Sequence, residues 1–166
     1  MPDKQNGSEH FILFGLMGTT YGIRSNEIQQ MDMVEHITPV PNAPDYVEGL
    51  VFIRGQVVPA INLRVRFGFE KVGYDMRTRL IVVQKNARKV GLIVDFAREF
   101  VSIPLEAIAP PPEAMSGLSG RYLEGIATVN ERLILILNID EVLQLAETIK
   151  SSPEGEYNEG GTKHDK

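Results

Sequence analysis

The stretch Tyr46-Val-Glu-Gly-Leu-Val-Phe-Ile-Arg-Gly-Gln-Val-Val-Pro-Ala-Ile-Asn-Leu63 decides the fold, because the chain carries it twice. Seventy-six positions later stands Tyr122-Leu-Glu-Gly-Ile-Ala-Thr-Val-Asn-Glu-Arg-Leu-Ile-Leu-Ile-Leu-Asn-Ile139, aligned without a gap. Tyr, Glu, Gly and Asn recur, and Leu50, Ile53, Val57, Val58, Ala60 and Ile61 all meet apolar partners. Just upstream, Ile37-Thr-Pro-Val-Pro-Asn-Ala43 is echoed by Ile108-Ala-Pro-Pro-Pro-Glu-Ala114. A short insertion around Ser116 to Arg121 accounts for the change of offset. An internal repeat constrains the fold before any local reading does. The chain reads as two copies of one β-rich unit.

Within each copy the pattern is that of a hairpin. A glycine, Gly49 or Gly125, opens a run of β-branched and aliphatic residues. Arg54-Gly55 turns the first copy, where Gly55 supplies the positive φ of a tight turn. Asn130-Glu131 turns the second, asparagine being the next most tolerant residue. Each return strand ends at an asparagine placed to cap a short helix. Asn62 precedes Leu63-Arg-Val-Arg-Phe67, with Gly68 as the stop. Asn138 precedes a helix from Ile139 to Ala146, with Glu141 at the reciprocal capping-box position. Both helices read as plugs or lids on barrels.

The rest of the chain supports the same class. Residues 1–9 read as a loose arm. His10 to Met17 and Tyr21 to Arg24 read as paired strands, and Ser25 to Ile28 as one helical turn. Gln29 to Glu35 reads as a strand whose Met31 and Met33 fill core, the alternative being an adaptable binding surface. Leu80 to Gln84, Lys89 to Val94 and Phe96 to Ile103 read as three further strands. Periodicity is lost from Glu147, so 147–166 reads as a disordered acidic tail. Short strands joined by Gly- and Pro-rich turns indicate small β-barrels over 10–146. The run Leu50 to Ile53 is apolar on both faces, so either Val51 and Ile53 or Leu50 and Phe52 are covered, by a neighbouring barrel or by a partner.

Composition narrows the function. The 166 residues carry a net charge of −5 with no basic run, which argues against a nucleic-acid partner. There is no cysteine, hence no disulfide or thiol chemistry, and no apolar stretch of membrane-spanning length. The histidines, His10, His36 and His164, do not stand at metal-ligand spacing. No phosphate loop, dinucleotide fingerprint or nucleophile elbow is present. The sequence gives no reason to expect a catalytic residue, a cofactor or a metal.

The order Tyr21-Gly-Ile23, Ile37-x-Pro-x-Pro-Asn-Ala-Pro44, Gly49, Arg54-Gly55, Val58-Pro59, Asn62-Leu-Arg64, Val90-Gly-Leu-Ile-Val-Asp95 and Tyr122-Leu-x-Gly125 resembles the CheW family. These are the coupling proteins of bacterial chemosensory arrays. The resemblance spans residues 10 to 146. It implies an all-β fold of two SH3-like five-stranded barrels related by a pseudo-two-fold, with short capping helices. It also implies a cytoplasmic, non-catalytic adaptor that joins chemoreceptor signalling tips to the regulatory domain of the histidine kinase CheA, at membrane-associated arrays. The alternative from the residues alone is a small ligand-binding or enzymatic barrel with an interior pocket. Carried over position by position, the family's partner surface falls on Ile28, Gln30, Gly49, Phe52, Arg54, Gly55, Val57 and Phe100. Where the family has Asn-x-Arg-Gly this chain has Phe52-Ile-Arg-Gly55, Asn62 replaces an aspartate, and Gln30 replaces an acidic contact. Those departures make a specialised chemosensory pathway an alternative to motility.

Overall fold

The computed structural model describes residues 7–112 and 118–144. The acidic segment 147–166 lies outside the described residues, as do residues 113–117 of the insertion and 145–146 of the expected last helix.

Eleven strands are described: β1 Ser8–Leu16, β2 Thr19–Arg24, β3 Ile28–Met33, β4 Val47–Ile53, β5 Gln56–Asn62, β6 Arg79–Lys85, β7 Arg88–Val94, β8 Phe96–Pro104, β9 Ile108–Ala109, β10 Leu123–Val129 and β11 Arg132–Leu137. They form two sheets. One runs β8-β1-β2-β11-β10-β9 and the other β3-β6-β7-β5-β4. In the first, the end strands β8 and β9 follow each other through the 3-10 turn Leu105–Ala107, which curls the sheet into barrel I. In the second, Thr38 downstream of β3 bridges Leu50 of β4 and curls it into barrel II. That bridge has its counterpart in barrel I, where Ala109 of β9 pairs Ile126 of β10.

The repeat survives in detail. Asn62 N–H donates to Tyr46 O at 2.7 Å, and Asn138 N–H donates to Tyr122 O at 2.8 Å. The side-chain oxygen of Asn62 accepts from Val65 N–H at 3.2 Å, and that of Asn138 from Glu141 N–H at 3.3 Å. Both β4 and β10 carry a register shift at the same place, before Gly49 and Gly125. Both return strands then pair in parallel with a glycine-bearing strand: Ala60 opposite Gly91, Ile136 opposite Gly22. The recurring Tyr and Asn are therefore a strand-end lock, and the asparagines are helix caps as expected.

Several local readings change. Strand β1 begins at Ser8, where Ser8 pairs Pro104 and Glu9 pairs Ile103, so these two residues of the expected arm 1–9 belong to the sheet, and residues 1–6 lie outside the described residues. The capping box is half made, because the Glu141 carboxylate accepts from Arg121 at 2.9 Å while Asn138 N–H is taken by Tyr122 O. Met31 and Met33 are exposed on the edge strand β3, so they do not fill core. The binding-surface alternative is the one compatible with that exposure.

The copies in the sequence are not the barrels in space. Strands β1 and β2 precede the first copy, yet they complete barrel I with the second copy's β10 and β11. The chain crosses into barrel II at the 3-10 turn Ser25–Glu27 and returns at Asp95. Each barrel interior is a small apolar cluster: Phe11, Leu13, Ile103, Ala127, Ile134 and Ile136 in barrel I, and Val51, Val58, Ala60, Leu80, Val82 and Ile93 in barrel II. The largest cluster lies between the barrels. It joins Phe14, Tyr21 and Leu137 of one to Ile61, Leu92 and Val94 of the other, with Phe67 and Val142 from the short helices. Hydrophobic burial thus binds the two barrels into one body. Among the described residues no helix is long and apolar enough to cross a membrane.

Candidate functional site: an exposed apolar hairpin on barrel II

The β4–β5 hairpin carries an unusual pair. Phe52 and Val57 stand directly opposite each other and are 74% and 62% exposed. Their neighbours on the strands point the other way, Val51 and Val58 being buried in the interior of barrel II. Alternation along each strand makes this unavoidable: once Val51 and Val58 enter the core, Phe52 and Val57 face out. The covered face of the Leu50–Ile53 run is therefore the Val51 face, and the barrel's own core covers it. The Phe52 face is left open. The dyad-related pair on barrel I is Thr128 opposite Leu133, with Leu133 60% exposed.

Between Phe52 and Val57 the chain turns at Arg54-Gly55, with φ of 50° and 78°. Two consecutive positive φ values make a tight turn whose twist suits a hairpin. Asn130 and Glu131 repeat it with 52° and 63°. Arginine is a poor residue for this conformation, whereas asparagine visits it readily. Arg54 is exposed, and no hydrogen bond or ion pair engages it among the described residues.

Beside the hairpin, a groove of about 470 Å³ opens between the edges of β3 and β4, with Met33, His36, Leu50, Phe52 and Ile53 in its lining. Phe52 thus borders both the open sheet face and the groove. Among the described residues no three His, Asp or Glu side chains gather as metal ligands.

The other expected contact residues are spread over three places. Phe52, Arg54, Gly55 and Val57 form one surface at the end of barrel II. Ile28 and Gln30 lie on β3, across a register shift, opposite Val83 and Val82. Ile28 packs its side chain against the inter-barrel core, and the Gln30 amide donates to Asp32. Phe100 lies on barrel I, 59% exposed, with its ring edge-on to His10 at 5.4 Å. Gly49 is buried, and its visible role is packing. A Cβ there would lie 2.1 Å from Thr38 O, and its φ is +146°. Leu133 lies outside the expected contact residues, and Met33 entered them only through the binding-surface alternative for β3. Leu133 was legible from the repeat, as the counterpart of Val57. Met33 was legible only by knowing that β3 is an edge.

Comparison with known proteins gives a consistent answer. A family model described as CheW-like domain matches residues 10–147. The chemotaxis protein CheW of Klebsiella aerogenes is 34% identical over 139 residues, covering 84% of each chain. That of Helicobacter pylori is 32% identical over 146 residues, covering 85% of this chain and 87% of its own. Protein FrzA of Myxococcus xanthus is 29% identical over 143 residues, covering 83% and 87%. Among solved structures, the scaffolding protein TtCheW from Thermoanaerobacter tengcongensis superposes with a TM-score of 0.75 at 31% identity, covering 80% of this chain and 90% of that one. Two barrels built from one duplicated hairpin unit, matched over nearly the whole described chain, place this protein in the CheW-like family.

Proposed function

We propose that the chain is a non-catalytic chemotaxis adaptor that couples chemoreceptor signalling tips to the regulatory domain of the histidine kinase CheA. It acts in the cytoplasm and is recruited to membrane-associated receptor arrays. The observation that carries the reading is the open Phe52–Val57 pair flanking an arginine that the fold does not engage. Large exposed apolar side chains clustered beside a free guanidinium suit a protein partner, for which aromatic and arginine anchors dominate affinity. The relatives' names, chemotaxis protein and scaffolding protein, support the same reading. On it, Phe52, Arg54, Gly55 and Val57 form one contact surface, Ile28 and Gln30 belong to a second at the barrel seam, and Phe100 to a third on barrel I.

A ligand-binding or enzymatic barrel would need an interior pocket. Here both interiors hold buried apolar clusters, aliphatic in barrel II and joined by Phe11 in barrel I, and the groove that reaches Val51 and Leu80 opens outward at the edges of β3 and β4. The test is a calorimetric titration of the purified chain against a CheA regulatory domain and, separately, a receptor-tip fragment. Saturable binding to the kinase domain is expected. Absence of saturable binding to either partner would defeat the adaptor reading.

A further inference from the structure

The chain crosses between the barrels twice, and an acidic residue sits at each crossing. At the return crossing, Asp95 is gripped from both barrels. Arg64, on the helix after β5 in barrel II, donates to it in bidentate fashion, Nε to Oδ1 at 2.7 Å and Nη2 to Oδ2 at 2.9 Å. From barrel I, the β1–β2 turn gives Met17 N–H to Asp95 Oδ2 at 3.0 Å, while Asp95 N–H donates to Gly15 O at 3.1 Å. The outward crossing also joins its acidic residue to a cation of barrel II, but barrel I contributes a carboxylate there in place of backbone donors. Glu27 meets Lys85 of the β6–β7 hairpin at 3.6 Å, and Lys85 meets Asp140 at 3.0 Å. Positions 64 and 140 differ by the same 76 as Tyr46 and Tyr122, so Arg64 and Asp140 are internal-dyad counterparts.

The two clusters are unequal. Glu27 at the outward crossing is as buried as Asp95, at 12% against 20%, but its partner Lys85 and the far carboxylate Asp140 are 39% and 51% exposed, against 17% for Arg64. Asp95 is met by fixed backbone donors and a planar guanidinium, an arrangement that specifies angle as well as distance. Lys85 is a flexible ammonium reaching two carboxylates, and the Arg88 guanidinium adds only a longer contact to Asp140 at 3.4 Å. Glu27 Oε1 is buried without a hydrogen-bond partner among the described residues. Burial holds the Glu27 carboxyl above the usual carboxylate range, against the opposing pull of Lys85. The apolar core between the crossings supplies attraction, but attraction of that kind is non-directional.

We infer that Asp95 and Arg64 are positioning residues that fix the mutual orientation of the two barrels, and that any relative movement pivots there and opens at the Glu27–Lys85–Asp140 side. The inference goes beyond the adaptor reading and is tested without a partner. The chain has no cysteine, so spin labels can be placed at Ala87→Cys in barrel II and Thr128→Cys in barrel I without removing a native thiol. A control pair, Gln56→Cys with Ala87→Cys, stays within barrel II. Asp95→Asn keeps the side chain's shape but loses the charge-assisted pair, and it should broaden the inter-barrel distance distribution about two-fold. The control pair should remain narrow, and Glu27→Gln should leave the inter-barrel distribution at its parental width. Arg64→Gln serves as a second variant and should behave as Asp95→Asn does. A folded Asp95→Asn protein with the parental distribution would overturn the inference. So would broadening by Glu27→Gln instead, or failure of both Asp95→Asn and Arg64→Gln to fold, which would make the cluster a folding determinant.

Discussion

Gly49→Ala should cost the fold about 3 kcal/mol or more, through backbone strain and overpacking acting together. Gly49 has a φ of +146°, a region that side-chain-bearing residues rarely enter, and an added Cβ would stand 2.1 Å from Thr38 O. That oxygen accepts Leu50 N–H at 2.8 Å in the bridge that curls barrel II, so relief by movement would open the barrel. Gly125 is the same residue in the second copy, with milder demands. A Cβ there would meet Ile108 Cγ2 at 3.0 Å and Ala109 O at 3.1 Å, with no positive φ. Gly125→Ala should cost roughly 1–2 kcal/mol, in line with modest overpacking. Denaturant midpoints of the two variants check this directly. Equal losses would mean that the copies close their barrels alike, against the geometry.

The contrast shows what a duplicated sequence discloses. Hairpins, turns and caps were legible because each depends on residues within about twenty positions: Arg54-Gly55 with its strands, Asn62 with Val65 N–H. Appearing twice, each local reading confirmed the other. The pairing of β2 with β11 was not legible. It joins Gly22 to Ile136 in parallel, across most of the chain, and no local pattern distinguishes it from a pairing within one copy. The inter-barrel core followed from it and was hidden for the same reason. Met31 and Met33 show the limit on the functional side. Apolar residues on a strand read as core unless the strand's place in the sheet is known, and β3 lies at an edge. The partner positions themselves came from resemblance. Physical reasoning adds which of them are free to touch anything: Phe52, Arg54 and Val57 are, and buried Gly49 is not.

That distinction sharpens the test at Arg54. On the adaptor reading, Arg54→Ala and Phe52→Ala should each weaken binding to the partner by on the order of 1–3 kcal/mol, the scale of an interface hot spot. Neither should move the melting temperature by more than a few degrees, since Phe52 is largely exposed and Arg54 braces nothing among the described residues. Arg54→Asn is the more incisive variant. Residue 54 sits at a φ of 50°, where asparagine is tolerated better than arginine, and the second copy already uses Asn130 at the equivalent place. Arg54→Asn should therefore leave the fold as stable as before or raise stability by up to about 1 kcal/mol. It should still lose binding to the same extent as Arg54→Ala, because the guanidinium is gone. If Arg54 instead braces the hairpin, Arg54→Asn and Arg54→Ala would both melt early and binding would fall only in step with the folded fraction. Calorimetric melting of each variant beside a titration with the kinase domain distinguishes the two outcomes. Stability held or raised together with affinity lost would mean that an unfavourable backbone conformation is retained at this turn for recognition.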